Sequence, residues 1–270
     1  MIDRDRVRTV MRKDWLEVVR SPQSLAALLV VPAVFVVALP TVVLLLARQP
    51  GFVESADDVR PLLDVIPAGL LPGGLDEVQQ LVYVVVVFLL APFFLLIPVM
   101  VASVTASSSV VGEKERRTIE GLLYTPLTDR ELVLAKILGS VLPAVAITWL
   151  SFLVYTVLVN VLGWPLLGRL YFPTWTWAVI MLLVVPAIAF LGTSLVVAVS
   201  GRATTVQGAQ GVAVLVVLPV VGLVVGQAAG VALLDVPVAL VAAGAIVVLD
   251  VVLFRFAVGR FQRERVLTQL

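Results

Sequence analysis

Six long apolar runs constrain this chain more than any other feature. They extend approximately over residues 25–47, 81–104, 132–162, 175–200, 206–230 and 237–257. A helix of about 20 apolar residues bridges the roughly 30 Å of a bilayer's hydrocarbon, so each run is long enough to cross a membrane. The runs are continuous rather than alternating, which excludes a membrane β-barrel. Composition agrees: 61% of residues are hydrophobic and 14% charged, well outside the range of soluble domains. The predicted fold is an all-α polytopic membrane protein, a single transmembrane domain over residues 1–270. Prolines 32, 40, 92, 98, 143, 186 and 219 fall inside the runs and predict kinked spans, because neighbouring helices in a bundle can satisfy the carbonyls that proline frees.

The basic residues set the expected orientation. Sixteen of the 19 Lys and Arg fall in the amino-terminal segment, the second and fourth loops and the carboxy-terminal tail. Only Arg48, Arg60 and Arg169 fall on the other side. Cytoplasmic loops carry the excess of Lys and Arg, so both termini are expected in the cytoplasm and the chain in the cell membrane. The leading segment reads as retained rather than as a cleaved signal peptide, since a basic stretch of about 20 residues precedes the first run. Within residues 1–20, Val7, Val10, Met11, Trp15, Val18 and Val19 recur at helical spacing with charges opposite, which predicts a helix lying in the bilayer interface. A topogenic basic leader without fixed packing is the alternative. Ser21-Pro22 reads as an N-cap followed by proline at the first helical position.

The outer loops differ. Residues 48–79 hold Pro50, Gly51, Pro61, Pro67, Pro72, Gly73 and Gly74 and six acids, and predict a turn-rich extracellular cap. The third loop, with Trp164, Tyr171, Phe172, Trp175 and Trp177, predicts an interfacial aromatic belt. No loop is long enough for a soluble catalytic domain.

One loop stands apart. The stretch GEKERRTIEGLLYTPLTDRELVLAK, residues 112–136, collects ten of the chain's 37 charges. Over Gly112 to Tyr124, Glu113 with Arg117 and Arg116 with Glu120 form i,i+4 pairs of opposite sign, while Ile119, Leu122 and Leu123 supply an apolar face. Thr125-Pro126 ends that helix. Thr128 and Glu131 form a capping box that opens the third span. This short amphipathic helix is either a self-satisfied hairpin or a docking element for a cytosolic partner.

The same stretch resembles the signature of permease subunits of ABC-2 type ABC transporters. The resemblance is carried by Glu113, Glu115, Thr118, Glu120, Leu122, Leu123, Thr125, Pro126, Leu127, Glu131, Leu132 and Lys136. Arg117 and Ala135 stand where that signature often has glycine. The resemblance implies an exporter-like fold of type V: an interfacial amino-terminal helix, six spans and a cytoplasmic coupling loop at residues 112–131. It also implies that Glu113, Glu115, Arg116, Thr118, Ile119, Glu120, Leu122, Leu123, Thr125 and Pro126 couple the chain to an ATP-binding subunit, expected in two copies. A second permease chain, in a homodimer or heterodimer, is implied too.

Function follows from that resemblance: an ATP-driven permease exporting a small molecule, ion or lipid-like substrate. No G-x-x-x-x-G-K-[ST] occurs, and none of the three lysines follows a glycine, so ATP and Mg are expected on the partner chain and no cofactor on this one. The alternative is a membrane scaffold or signalling subunit that transports nothing. An intramembrane protease is disfavoured because the chain has no His and no Cys. For the same reason no catalytic or metal site is expected; no nucleic-acid partner is expected either.

Inside the spans, Gly222, Gly226 and Gly230 form a close-packing ladder, facing either the second subunit or a span of the same chain. Ser103, Thr148, Ser151, Tyr155 and Asp250 are candidates for the translocation path. Asp250 qualifies because an intramembrane carboxylate is a functional candidate by default.

Overall fold

In the computed structural model, the described residues are 4–49, 63, 66, 68–115, 129–199, 205–228 and 235–260. Among them there are helices and no strand. Six helices are long and apolar enough to cross a membrane: span 1, Ser24–Leu46; span 2, Glu77–Glu113; span 3, Glu131–Leu167; span 4, Trp175–Val199; span 5, Val206–Gln227; and span 6, Val236–Arg255. Polar side chains start several of them. Ser21 caps the helix that leads into span 1, with Pro22 at its first position. Asp76 and Gln79 form a reciprocal capping box before span 2, and Thr205 accepts from the Gly208 amide before span 5.

Burial separates the spans into a centre and a periphery. In the most apolar stretches of spans 2 and 4, 72% and 67% of residues are buried, against 17% in span 6. Spans 2 and 4 are therefore the core on which the others lean. Span 6 packs mainly on span 4, as the Phe190–Phe254 ring contact at 6.0 Å illustrates.

Three spans widen ahead of a proline. The π-helical segments Ala33–Ala38, Val85–Leu89 and Ile180–Val184 precede Pro40, Pro92 and Pro186. In these segments each amide reaches back five residues: Leu90 to Val85 and Val185 to Ile180. Proline has no N–H to give, so in the same register Pro92 leaves the Val87 carbonyl free and Pro186 leaves that of Met181. Side chains from other spans fill both vacancies. The Trp177 indole donates to Val87 at 2.8 Å and the Trp149 indole to Met181 at 2.8 Å. The Tyr155 hydroxyl donates to the neighbouring Val86 carbonyl at 2.7 Å.

These bonds redraw the aromatic belt. Trp175 is 83% exposed and Trp164 is also exposed, as interfacial residues are, but Trp177, Phe172 and Tyr171 are core residues. Trp177 lies against Phe94, Phe152, Tyr155 and Phe172 with ring centroids 4.9 to 5.9 Å apart. The reason is chemical: a ring with one polar atom can fill apolar space and at the same time satisfy a carbonyl that proline has left open.

The amino-terminal helix, Arg4–Arg20, is packed rather than loose. Its buried face is Val7, Val10, Asp14 and Val18, with Met11 and Trp15 half-buried beside it. Val7, Val10 and Met11 meet Leu132 and Ala135 of span 3. Gly139 of span 3 faces the same helix: a β-carbon there would stand 3.5 Å from the Met11 Cα, in ordinary van der Waals contact. This fixed packing sets aside the free-leader alternative.

Candidate functional site

The buried face of the amino-terminal helix has a carboxylate at its centre. Asp14 lies one turn after Val10 and one turn before Val18, where an amphipathic helix otherwise carries an apolar residue. Its partners come from spans 2 and 3. The Lys136 ammonium of span 3, only 5% exposed, stands 3.1 Å from Asp14 Oδ2, 2.9 Å from Glu113 Oε2 and 2.8 Å from the Ser109 carbonyl. An ammonium has three hydrogens to donate, and Lys136 has three acceptors for them. The Ser109 hydroxyl donates to Asp14 Oδ2, and Lys13 completes the group by pairing with Glu113 and, at 3.4 Å, with Glu17.

The formal charges of the inner four groups cancel: Asp14 and Glu113 against Lys13 and Lys136. This matters because a buried charge without a partner costs several kcal/mol, whereas a paired and hydrogen-bonded one is tolerated. Burial holds the Asp14 carboxyl above the usual carboxylate range, opposed by Lys136 and the Ser109 hydroxyl and reinforced by the nearby Glu113. For Lys13 burial acts against its charge, but the bond and attraction to Glu113, with Asp14 and Glu17 adding, outweigh it and hold Lys13 above the usual lysine range.

Helix length explains where such a cluster can exist. The span 3 helix, Asp129–Leu167, has 39 residues. At 1.5 Å per residue it is about 58 Å long, roughly twice the hydrocarbon thickness. The span 2 helix likewise runs on through Gly112 to Glu115. Both helices are longer than the hydrocarbon layer is thick, and the amino-terminal helix packs on both of them. The cluster thereby ties together three elements: the amino-terminal helix and the two helices that flank residues 116–128.

The sequence-predicted residues distribute unevenly around this site. Glu113, expected on a coupling helix, lies on the span 2 helix, 2% exposed, and takes Lys136 and Lys13 because two lysines on adjacent elements converge there; its expected partner Arg117 lies outside the described residues. Glu115 is exposed on the last described turn. Arg116, Thr118, Ile119, Glu120, Leu122, Leu123, Thr125 and Pro126 lie outside the described residues, as do Arg117, Thr128 and Gly230. Among the described residues, nothing stands within 4 Å of where a β-carbon of Gly222 or Gly226 would be, so no described part of another span packs on them there.

The candidate path residues are dispersed. Ser103 and Thr148 donate to the carbonyls of Val99 and Ala144 on their own helices, at 2.6 and 2.7 Å, and Tyr155 belongs to the aromatic core. Ser151 is buried on span 3. Among the described residues no hydrogen bond joins any two of these. Asp250 is buried on the face of span 6 that turns toward span 4, one helical turn before Phe254, and its Oδ1 has no hydrogen-bond partner among the described residues.

Sequence reading singled out neither Asp14 nor Lys13, and took Lys136 only as part of a motif. A signal for Asp14 was present: an acid at i+4 from Val10 and i−4 from Val18. In comparison with known families, the model of a family described as ABC-2 family transporter protein matches residues 8–240. No curated protein matches the chain.

Proposed function

From this chain's membership of the ABC-2 transporter family, as a permease subunit of an ABC transporter, we propose that it is the export path of a primary pump and draws its energy from a separate ATP-binding subunit through residues 112–131. The observation that carries this reading is the buried charge cluster. Glu113, at the start of the coupling segment, and Lys136, just past its end, stand 2.9 Å apart, each also bonded to the amino-terminal helix. Force applied to the segment between them would be shared by spans 2 and 3 and by that helix, and would move them as one body. Buried ion pairs suit this role, because breaking any of them leaves an unpaired charge and the junction resists shear.

The rest of the pump is inferred on the same basis. Both termini and the coupling segment lie in the cytoplasm, consistent with the 16 basic residues on that side. Two copies of the ATP-binding subunit serve two permease chains, and the uncovered Gly222–Gly226 face supports a second permease chain there. The chain itself has no catalytic role. The exported substrate is a small molecule, ion or lipid-like compound.

The test is replacement of Ile119, Leu122 and Leu123 by Ala together, followed by co-purification with the ATP-binding subunit and measurement of its ATP turnover. Loss of both is expected. Unchanged assembly and turnover would overturn the coupling assignment.

A further inference from the structure

Between the amino-terminal helix and span 3 lies an open groove of about 540 Å³ whose lining is divided by chemistry. Arg8 and Arg12, one turn apart on the helix, stand on one side, and Trp15, Leu142, Ala146 and Ile147 supply apolar walls. Both arginine side chains are exposed, and neither has an ion pair among the described residues. The helix's own Asp14 and Glu17 are engaged by the two lysines of the charge cluster. Asp5 precedes Arg8 by three positions on the same helix, and the groove presents two arginines without an ion pair among the described residues beside an apolar surface.

The apolar side continues beyond the groove. Leu142, Leu150, Leu153, Val157 and Val161 are all more than half exposed and recur along one side of span 3. From Leu142 to Leu153 the rise is about 16 Å at 1.5 Å per residue, about half of a hydrocarbon core of roughly 30 Å. A molecule that suits both parts needs an anionic head and an acyl chain about one leaflet deep.

We propose that this groove binds one anionic phospholipid, its phosphate between Arg8 and Arg12 and an acyl chain along Leu142, Ala146 and Leu150. A soluble anion would leave the apolar stripe unused, and a zwitterionic lipid would bring a second cation to the arginines. The site adjoins the charge cluster: Gly139, which also lines the groove, is close to both Met11 and Asp14. A bound lipid therefore braces the helix that carries Asp14. The proposal rests on membrane embedding and not on ATPase coupling, so the two can fail separately.

The experiment uses the purified full chain, titrated with dioleoyl phosphatidylglycerol or dioleoyl phosphatidylcholine and followed by native mass spectrometry. Preferential retention of phosphatidylglycerol is expected. Arg8→Ala and Arg12→Ala should each weaken it roughly fivefold, and the double variant roughly thirtyfold. Ala146→Phe, which fills the apolar side and keeps both arginines, should also weaken it, whereas Arg20→Ala should not. Equal retention of the two lipids, full retention by the double variant, or indifference to Ala146→Phe would each overturn the proposal. So would equal competition by glycerol 1-phosphate, which indicates a free-anion site, or protection of the groove by a second copy without bound lipid.

Discussion

Span 3 belongs to two regions built on opposite principles, a charge cluster around Lys136 and an aromatic cluster around Tyr155. The two residues are 19 positions apart on one helix, about 28 Å by helical rise. At the Lys136 end, a few ionised groups hold three elements together, and each depends on all the others for its neutralisation. Around Tyr155, stacked and edge-on rings share many weak contacts, and two of them also satisfy the backbone carbonyls of Val86 and Val87. The lesson is about tolerance. Dispersion contacts are lost a few at a time, whereas removing one member of a charge cluster strands the rest.

Lys136→Met puts this contrast to its hardest test. It takes from Asp14 and Glu113 the buried ammonium they share, and we expect a loss of about 3–5 kcal/mol, read as a lowered unfolding midpoint in detergent. Recovery is expected when Asp14→Asn is combined with it. If Lys136→Met unfolds like the native chain, the cluster is not what holds the amino-terminal helix.

At the aromatic end Tyr155→Phe keeps the ring and its stacking but removes the hydroxyl that donates to Val86. The expected cost is about 1–3 kcal/mol, that of a buried acceptor losing its partner, and it should not vary with pH between 5 and 8. A loss equal to that of Lys136→Met would erase the distinction between the two regions.

The smallest effect is a pH dependence confined to the charge end. Burial raises the Asp14 carboxyl in the folded chain, so folding favours its protonated form. The corresponding stability is fully present below the ordinary carboxylate value of about 4 and is lost as pH rises through the raised value. Asp14→Asn should flatten this slope in pH-resolved thermal unfolding. An unchanged slope would assign the dependence to another carboxyl.

Much of the fold was legible because the bilayer permits few solutions. An apolar run of about 20 residues must become a helix, and Ser21-Pro22 marks the start of one by side-chain chemistry that acts within a single turn. The prolines were legible as interruptions of the helical hydrogen bonding, which the structure meets with π-helical segments ahead of three of them, and the requirement for outside donors followed from the missing N–H. Which donors came forward did not. Trp177 reads as a belt residue at the edge of span 4, and only the packing of that span against Pro92 turns it inward.

The same division applies to the candidate site. By itself the sequence determined six membrane-crossing helices, an amphipathic leading helix and a charged segment between the second and third spans, because periodicity and local capping are short-range properties of the chain. Tertiary structure alone decided that Asp14, Glu113 and Lys136, separated by as many as 122 positions, share one buried neutral cluster. An ion pair acts only across a few ångströms of low-dielectric space, and no pattern along the chain reveals which distant charges will share that space.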